Sequence, residues 1–460
     1  MSLRFAAASA AAIPIWFVHR ESWPAIRDGL PAAAAAFAAA SGFEPTAGQH
    51  AVLPDASGGI AAVVAAIEAP DARYRDPFLP GKLANLLPAA TYRFANEPHE
   101  TSLAALGWLL AGYRFNRYKT SGTNLPALIA PAGIDAARIE RIARSTALAR
   151  DLVNTPANDL GPAALEAQAL AVAQRYGAAA TVVRGNALVT GNLPLIYAVG
   201  KASAEPPCLV DFIWGDPTAP KVTLVGKGVC FDTGGLDIKP ESAMALMKKD
   251  MGGAATALAA ADAIMDAGVK VRLRVLLPIV ENAISGTAFR PGDVYPSRKG
   301  LTVEIGNTDA EGRLILADAL ALADEEKPEL LFDFATLTGA ARVALGPDIP
   351  PFYTGEDALA EAIAHHSRRM NDPVWRMPLW DPYDALLDGK IANLNNISGG
   401  PFAGSITAAL FLRRFVEAAT AWAHFDIFAW NPKSMPGRPE GGEAQASRLV
   451  YDLVEARYGV

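Results

Sequence analysis

The sequence predicts an α/β fold in which helices cover a largely parallel or mixed sheet. Short apolar segments alternate with longer amphipathic ones, in the lengths typical of strands and helices. The strands read as continuous apolar runs, as in sheets that are covered on both faces. Of the 460 residues, 51% are hydrophobic and 19% are charged, which is the composition of a globular protein with a large core.

The second part of the chain shows this alternation most clearly. The predicted strands are 181–184, 195–199, 221–225, 271–280, 330–335 and 423–429. The predicted helices between them are 162–176, 254–267, 314–326, 356–370 and 405–418. Strands alternating with helices of this kind favour a layered domain.

The first part of the chain is less regular. Residues 22–44 contain alanine tracts and predict a helix. Other predicted elements are the strands 15–18 and 92–95 and the helices 101–112 and 135–151. An Ala-Pro-Ala-Gly break precedes the last of these helices, so we place a domain boundary near residue 135. The prediction is one domain over 1–135 and a second over 136–460.

The N-terminal apolar segment 5–18 has some features of a signal peptide, but Pro14 interrupts it. It is also too short to span a bilayer, so we expect no membrane segment. Two cysteines, Cys208 and Cys230, cannot form a disulfide framework and favour a reducing compartment. We therefore expect a cytoplasmic protein.

Charge and motif content exclude several function classes. A formal net charge of −7 disfavours nucleic-acid binding, which requires clustered basic residues. The sequence has no His-Glu-x-x-His pair, no Gly-x-Ser-x-Gly elbow and no Cys-x-x-Cys motif. A nucleophilic Cys230 with His424 as its base is conceivable, but we favour a buried thiol because free cysteine usually packs as a small hydrophobe.

Polar residues concentrate between positions 224 and 314. A strand runs into a glycine-rich loop that contains Asp232, and Lys239 and Asp250 follow. Strand ends and the loops after them are where α/β proteins place ligands. Each residue has a simpler explanation when taken alone, because aspartate beside glycine is often only a turn residue.

A second polar group is formed by Asp309, Glu311 and Arg313, which occupy alternate positions. In an extended segment this spacing places all three side chains on one face. Asp309 could instead be a helix N-cap, and Arg313 a surface partner of Glu311. Two carboxylates 4 Å apart repel each other by about 4 kcal/mol at an effective dielectric constant of 20. A convergent group of such carboxylates therefore favours a site for Mg²⁺, Mn²⁺ or Zn²⁺.

These segments resemble the leucyl aminopeptidase family, the cytosol aminopeptidases of the M17 metallopeptidases. The similarity is strongest in the octapeptide Asn-Thr-Asp-Ala-Glu-Gly-Arg-Leu at 307–314 and in the segments 225–235 and 248–253. It covers residues 145–430, and we find no clear match in the first 130 residues. The resemblance implies a smaller N-terminal α/β domain followed by a larger three-layer α/β/α catalytic domain with a mixed central sheet.

The resemblance also implies two metal ions, with Mn²⁺ or Zn²⁺ as the first candidates and Mg²⁺ as a further candidate at either position. Lys227, Asp232, Asp250 and Glu311 would hold the tighter ion. Asp232, Asp309 and Glu311 would hold the more readily exchanged one. A lysine can be a ligand only when neutral, so Lys227 would need a pKa far below the ordinary value of about 10.4.

The remaining implied roles concern catalysis and the substrate. Lys239 would stabilise the oxyanion, and Arg313 would hold a bicarbonate ion that serves as the general base. The substrates would be peptides with a free N-terminus, and the chain would form a homohexamer. The pocket for the N-terminal side chain would be lined by Met247, Thr336, Leu337 and Gly339.

The sequence departs from the family pattern at Phe428 and Trp430, where relatives usually have small residues. These two rings either narrow the side-chain pocket or pack away from it, so a preference for leucine does not follow. Two other hypotheses remain open. One is a nucleic-acid-binding role, which the acidic charge disfavours, and the other is an inactive scaffold, which the intact set of implied ligands disfavours.

Overall fold

The computed structural model describes residues 3–120 and 125–460. The chain forms two compact units: residues 1–147 with 433–440, and residues 148–432 with 441–460. The division falls inside the helix α4 (Ala136–Asn154) rather than before it. The segment 433–440 also belongs to the first unit, so the second unit differs from the predicted domain 136–460 at these two places.

The first unit contains a sheet with helices. Its elements before α4 are β1 (Ile13–Val18), α1 (Trp23–Asp28), α2 (Ala32–Ala40), β2 (His50–Pro54), β3 (Ile60–Ala66), β4 (Thr91–Phe94), α3 (Thr101–Ala111) and β5 (Ala127–Leu128). The strand order is β2-β3-β1-β4-β5, and the pairs are parallel except for β2 with β3.

The prediction of one helix over 22–44 is wrong. Helix α1 ends before Gly29, and α2 begins after Pro31, whose backbone is extended. Proline lacks the N–H that a continuous helix would need and fixes its own φ angle. The alanine-rich segment therefore forms its helix only after the proline.

The second unit contains the larger sheet. Its strands are β6 (Ala179–Arg184), β7 (Cys208–Trp214), β8 (Lys221–Gly226), β9 (Gly228–Asp232), β10 (Arg272–Asn282), β11 (Val294–Pro296), β12 (Thr302–Glu304), β13 (Leu330–Ala335), β14 (Pro351–Tyr353), β15 (Trp375–Arg376), β16 (Leu394–Asn395), β17 (Trp422–Asp426), β18 (Trp430–Asn431) and β19 (Gly441–Gly442). Its helices after α4 are α5 (Pro162–Arg175), α6 (Ala187–Thr190), α7 (Pro194–Gly200), α8 (Glu241–Met244), α9 (Gly252–Ala267), α10 (Glu311–Asp324), α11 (Ala340–Leu345), α12 (Asp357–Arg369), α13 (Gly404–Arg413) and α14 (Ser447–Tyr458).

The main sheet has the order β15-β14-β17-β13-β8-β10-β7-β6, and β9 pairs with β10 beyond the end of β8. Strands β17, β13, β8 and β10 are mutually parallel, whereas β7, β6 and β14 run antiparallel to a neighbour. The sheet is therefore mixed, as expected. The parallel strands lie in its centre, where their apolar residues are buried on both faces.

Helices cover this sheet in two groups. Helix α9 packs on β8 and β13 and contacts α14, whereas α10 packs on β8 and β10 and contacts α7 and α13. Apolar residues of α10, including Leu316 and Leu320, are fully buried. The predicted α/β fold with helical layers on a central sheet is confirmed.

One predicted strand of the second unit is wrong. Residues 195–199 lie in the helix α7, which has Pro194 in its first turn. Leu195, Ile196 and Val199 are completely buried in the core, so the segment is apolar on more than one face. A short apolar run does not distinguish a buried helix from a buried strand.

Over the described ranges, 3–120 and 125–460, none of the helices combines the length and the apolar character needed to cross a membrane.

Candidate functional site

Polar side chains gather at the carboxyl ends of the central parallel strands. Strands β8, β13 and β17 end there, and so does the neighbouring strand β9. Ligand sites in open α/β sheets lie outside this edge. A cavity of about 120 Å³ opens at this edge, and the residues that line it are Lys227, Asp232, Lys239, Met247, Lys249, Asp250, Asp309, Glu311, Thr336, Leu337, Thr338, Gly339, Arg342, Ile427 and Phe428.

Lys227 follows the last residue of β8 and is almost completely buried. Its Nζ lies 2.9 Å from Asp250 Oδ2 and 2.8 Å from Glu311 Oε1, and it donates a hydrogen bond to the Thr336 carbonyl. Burial alone would lower the pKa of this lysine, but the carboxylates of Asp250 and Glu311 raise it above its ordinary value. Lys227 therefore joins two acidic groups from distant parts of the sequence.

Lys239 makes a similar link on the other side of the cavity. Its Nζ lies 2.8 Å from Asp232 Oδ2 and 2.5 Å from Asp309 Oδ1. Burial opposes its charge, but the carboxylate of Asp232 raises the pKa of Lys239 above the ordinary value. Asp232 is held at the end of β9, where its Oδ1 accepts hydrogen bonds from Gly234 N–H and from Asn282 Nδ2.

Asp250 and Thr336 come together from two loops at the edge of the sheet. Asp250 lies two residues before the start of α9, and Thr336 follows β13. The Thr336 hydroxyl donates a 2.7 Å hydrogen bond to Asp250 Oδ1. This contact orients the carboxylate so that its second oxygen faces Lys227.

The prediction that Asp309, Glu311 and Arg313 lie on an extended segment is wrong. Asp309 lies in a loop, whereas Glu311 is the first residue of α10 and Arg313 lies in the first turn of the same helix. Asp309 and Glu311 still reach the same space because the chain enters the helix at the edge of the sheet. Arg313 leaves that space because residues two apart on a helix do not share a face.

Gly312, between these two helical residues, permits the close approach of Lys227. A Cβ atom at position 312 would lie 2.7 Å from the Lys227 Cε and Nζ atoms. Any larger residue would therefore displace the lysine from between Asp250 and Glu311. This packing explains a glycine inside a helix, where glycine is otherwise unfavourable.

The pKa values of the acidic groups in the cavity are shifted in different directions. Burial and the neighbouring Asp232 raise the pKa of Glu311 to about 8. The same two causes raise the pKa of Asp309 to about 6. For Asp250, burial is opposed by Lys227 and Lys249, which lower its pKa below the ordinary value. The carboxylates around Asp232 are therefore the ones that most need additional positive charge.

The donor set fits hard divalent cations. Oxygen atoms of Asp232, Asp309 and Glu311 lie within 4.8 Å of one another. Asp250, Asp309 and Glu311 each have one buried carboxylate oxygen whose polar partner, among the residues that the structure describes, is a lysine ammonium group. Carboxylate oxygens in this arrangement are suitable ligands for Mg²⁺, Mn²⁺ or Zn²⁺.

Arg313 is not among the residues that line the cavity. It is buried, and its Nη1 donates a 2.6 Å hydrogen bond to the Asn396 carbonyl. Its Nε has no hydrogen-bond partner among the residues that the structure describes. Burial lowers the pKa of Arg313 to about 10, against the raising effect of Glu311 and Asp426.

We call the part of the cavity that is lined by the residues predicted to bind the substrate side chain its side-chain end. Met247, Thr336, Leu337 and Gly339 all line it. The sequence left open whether Phe428 and Trp430 narrow the pocket or pack away from it. Phe428 lines the cavity, whereas Trp430 is not among the lining residues and contacts Lys248. The ring of Phe428 therefore occupies part of this end of the cavity.

Sequence reasoning assigned no role to Asn282, Lys249 or Arg342. Asn282 ends β10 and donates hydrogen bonds to Asp232 and to the Thr308 carbonyl, so it connects two loops of the site. Lys249 and Arg342 line the side-chain end of the cavity. The position of Lys249 next to Asp250 in the sequence was the one signal that could have identified it.

The alternative nucleophile, Cys230, is buried, and burial raises its pKa well above the ordinary value. The proposed base His424 is also fully buried, and its Nδ1 lies 2.5 Å from Asp333 Oδ1. The interpretation of Cys230 as a buried thiol is consistent with this environment.

Comparison with protein families gives two matches along the chain. Residues 147–451 match the cytosol aminopeptidase family, catalytic domain. Residues 13–131 match the M17 aminopeptidase, N-terminal domain. The sequence motifs gave no clear match in the first 130 residues, whereas the family comparison finds one there.

Individual relatives agree with this result. A probable cytosol aminopeptidase of Syntrophotalea carbinolica is 41% identical over 367 residues, which is 76% of this chain and 73% of the relative. The crystal structure of a cytosol aminopeptidase from Coxiella burnetii is 44% identical, covers 100% of both chains and has a TM-score of 0.94. The bottromycin maturation enzyme BotP in complex with Mn is 35% identical, covers 98% of this chain and 100% of its own, and has a TM-score of 0.86.

The family matches cover both units, and the structural similarity extends over the whole chain. The acidic groups at the edge of the sheet form a site suited to metal ions. The chain therefore belongs to the M17 cytosol aminopeptidase family and is a metal-dependent exopeptidase.

Proposed function

We propose that the chain is a two-metal aminopeptidase that removes the N-terminal residue from peptides with a free α-amine. Lys227, Asp232, Asp250 and Glu311 hold one divalent ion. Asp232, Asp309 and Glu311 hold the second. The observation that carries this proposal is the convergence of these oxygen atoms, since three of the carboxylates lie within 4.8 Å of one another.

The donor atoms support this assignment of ligands. Lys227 Nζ lies within 2.9 Å of both Asp250 and Glu311, so it occupies the position from which a neutral amine could share a cation with them. When bound, a pair of divalent ions supplies Lewis acidity and lowers the pKa of a water molecule that serves as the nucleophile. Arginine could not replace Lys227, because a guanidinium group stays protonated.

Lys239 is proposed to stabilise the oxyanion of the transition state. It is partly buried beside Asp232 and Asp309, and these carboxylates keep it protonated. A fixed ammonium group in a buried cavity stabilises developing negative charge more strongly than one in water. Lys239 would therefore act without giving up its proton.

Arg313 is proposed to hold a bicarbonate ion that serves as the general base. Its buried Nε lacks a hydrogen-bond partner among the residues described, which supports a role in binding a planar anion. The Asn396 carbonyl holds the opposite side of the guanidinium group at Nη1. This contact would fix the orientation of the group.

Further parts of the proposal concern the setting of the enzyme. Mn²⁺ or Zn²⁺ is proposed at both positions, with Mg²⁺ as an alternative at either. The solved relative in complex with Mn supports a preference for a metal of this type. We also propose a cytoplasmic location, a homohexameric assembly and no nucleic-acid partner, the last because the net charge is −7.

The test uses matched peptides with free and acetylated N-termini. The metal-loaded enzyme is expected to release the first residue only from the free peptide, and chelation followed by added Mn²⁺ or Zn²⁺ should remove and restore this activity. The variant Asp309→Ala should be inactive, whereas Asp216→Ala, at an exposed turn, should match the original protein. Failure to hydrolyse any unblocked peptide with metal present would overturn the proposal.

A further inference from the structure

Two basic side chains lie at the side-chain end of the cavity. Lys249 Nζ lies 4.6 Å from the centre of the Phe428 ring, and the Arg342 guanidinium carbon lies 4.2 Å from it. Lys249 comes from the turn before α9 and Arg342 from α11, so the two charges meet only in the folded chain. Both residues line the same cavity as the proposed metal ligands.

Neither basic group has an acidic partner at contact distance. Across residues 3–120 and 125–460, no ion pair or hydrogen bond engages Lys249 Nζ or the Arg342 guanidinium group. Lys249 is only 4% exposed, so water compensates little for the missing partner. A buried cation without a countercharge is unfavourable unless something binds to it.

The nearby carboxylates are already engaged. Asp250 is bound by Lys227 and Thr336. Asp426 accepts hydrogen bonds from the N–H groups of Leu337 and Thr338 and from the hydroxyl groups of Thr338 and Ser405, so donors surround both of its oxygens. The two cationic groups at this end of the cavity therefore lie near carboxylates that already accept hydrogen bonds or ion pairs from other groups.

The aromatic ring of Phe428 shapes the same end. Lys249 and Arg342 both make cation–π contacts with this ring, and these contacts stabilise their positions. The ring lines the cavity together with Met247 and Leu337, so it reduces the space left for a large apolar side chain. The pocket thus combines limited volume with positive charge.

We propose that this pocket selects peptides whose N-terminal residue is aspartate or glutamate, with Arg342 and Lys249 binding the side-chain carboxylate. This inference rests on the proposed aminopeptidase function. In that function, the metal ions would neutralise the carboxylates that bind them, so these carboxylates would not need Arg342 or Lys249 as countercharges. The two cations at the side-chain end would then be free to attract a substrate anion. A carboxylate held by charged donors forms stronger hydrogen bonds than a neutral amide does.

The test compares substrates that differ in charge but hardly in shape. We expect kcat/KM for glutamyl p-nitroanilide to exceed that for glutaminyl p-nitroanilide by about 10- to 100-fold, and the aspartyl and asparaginyl pair to behave in the same way. Arg342→Met should reduce this ratio to below about threefold, and Lys249→Met should reduce it less. Arg342→Glu should shift the preference toward lysyl substrates. The matched controls Arg73→Met and Lys270→Met alter exposed residues and should retain the original ratio.

A binding measurement separates this inference from the proposed function. Calorimetric titration of the metal-loaded protein with L-glutamate and L-glutamine should show tighter binding of glutamate, and Arg342→Met should abolish the difference. Hydrolysis of glutaminyl and leucyl substrates at least as fast as glutamyl ones, with equal binding of both amino acids, would overturn the inference and leave the aminopeptidase function intact. If no substrate is hydrolysed, the proposed function fails, and the titration still decides whether the pocket binds carboxylates.

Discussion

Two of the places where the second unit buries charged residues are the metal-type cluster of Asp232, Asp250, Asp309 and Glu311 at the edge of the sheet and a cluster around Glu443. Glu443 Oε2 lies 2.8 Å from Arg150 Nη2 and accepts a hydrogen bond from Asn431. Arg448 lies 3.6 Å from its other oxygen. Burial would raise the pKa of Glu443, but the two arginines lower it to about 2. In the metal-type cluster the pKa of Glu311 is raised to about 8.

The opposite directions of these pKa shifts reflect how much countercharge the chain itself supplies to each carboxylate. Glu443 has its countercharges built into the chain, so its carboxylate is stable as an anion. Glu311 shares Lys227 with Asp250 and faces Asp232 and Asp309, so the chain supplies too little positive charge. A group of this kind is poised for an added cation.

The largest expected effect comes from changing the metal-type cluster. Glu311→Gln should lower kcat/KM by at least about 10⁴-fold, because the carboxylate would be a ligand of both proposed ions and these would supply several kcal/mol of transition-state stabilisation. Steady-state kinetics with saturating Mn²⁺ would measure this. Glu361→Gln, at an exposed position of α12, is the matched control. A loss below tenfold would contradict the assignment of Glu311.

The matching change in the structural cluster should act on stability instead. Glu443→Gln removes the negative charge that Arg150 and Arg448 face, although Arg448 keeps its contact with Asp372, and we expect a loss of about 3 kcal/mol in the free energy of unfolding. Urea denaturation followed by circular dichroism would measure it, again with Glu361→Gln as the control. A change below about 1 kcal/mol would show that the charge of Glu443 does not stabilise the folded protein.

A variant of Lys239 tests whether this residue acts through its positive charge and not as a metal ligand. Lys239→Met should reduce kcat by about 10²- to 10³-fold, the loss typical of removing one group that stabilises an oxyanion. Metal content should stay unchanged, which distinguishes this residue from the ligands. Lys270→Met, at an exposed position, controls for the loss of a charge. Loss of metal together with activity would assign Lys239 to the metal site instead.

The smallest effect concerns the pH dependence of stability. The pKa of Glu443 is lowered from 4.5 to about 2, so its stabilising contribution is complete above about pH 5 and is lost as the pH falls toward 2. The difference in unfolding free energy between the original protein and Glu443→Gln should therefore shrink by about 2 to 3 kcal/mol between pH 5 and pH 2. Urea denaturation at several pH values would show it. A difference that stays constant with pH would contradict the pairing with the arginines.

The sequence predicted which acidic residues gather at this edge of the sheet better than it predicted their local structure. Asp232, Asp250, Asp309 and Glu311 were identified from short motifs and do converge. Their spacing nevertheless suggested an extended segment, and the structure has a helix from Glu311 onward. Alternation over only five residues also occurs where a loop enters a helix, so a spacing of two cannot define the local structure.

Contacts between distant residues were beyond the reach of sequence patterns. Lys249, Arg342 and Phe428 form one end of the cavity, but they lie on three separate segments of the chain. The strand order that brings those segments together depends on how β13, β17 and β8 pair. Tertiary packing also decided that residues 195–199 form a buried helix.

Counting bound metal tests the central claim most directly. Metal-free protein would be dialysed against Mn²⁺, and the bound ions would be measured by mass spectrometry alongside Asp309→Ala. We expect two ions per chain in the original protein and one in the variant, because Asp309 is a proposed ligand of only one of the two ions. Zero or one ion in the original protein, or two in the variant, would contradict a shared two-metal centre at this edge of the sheet.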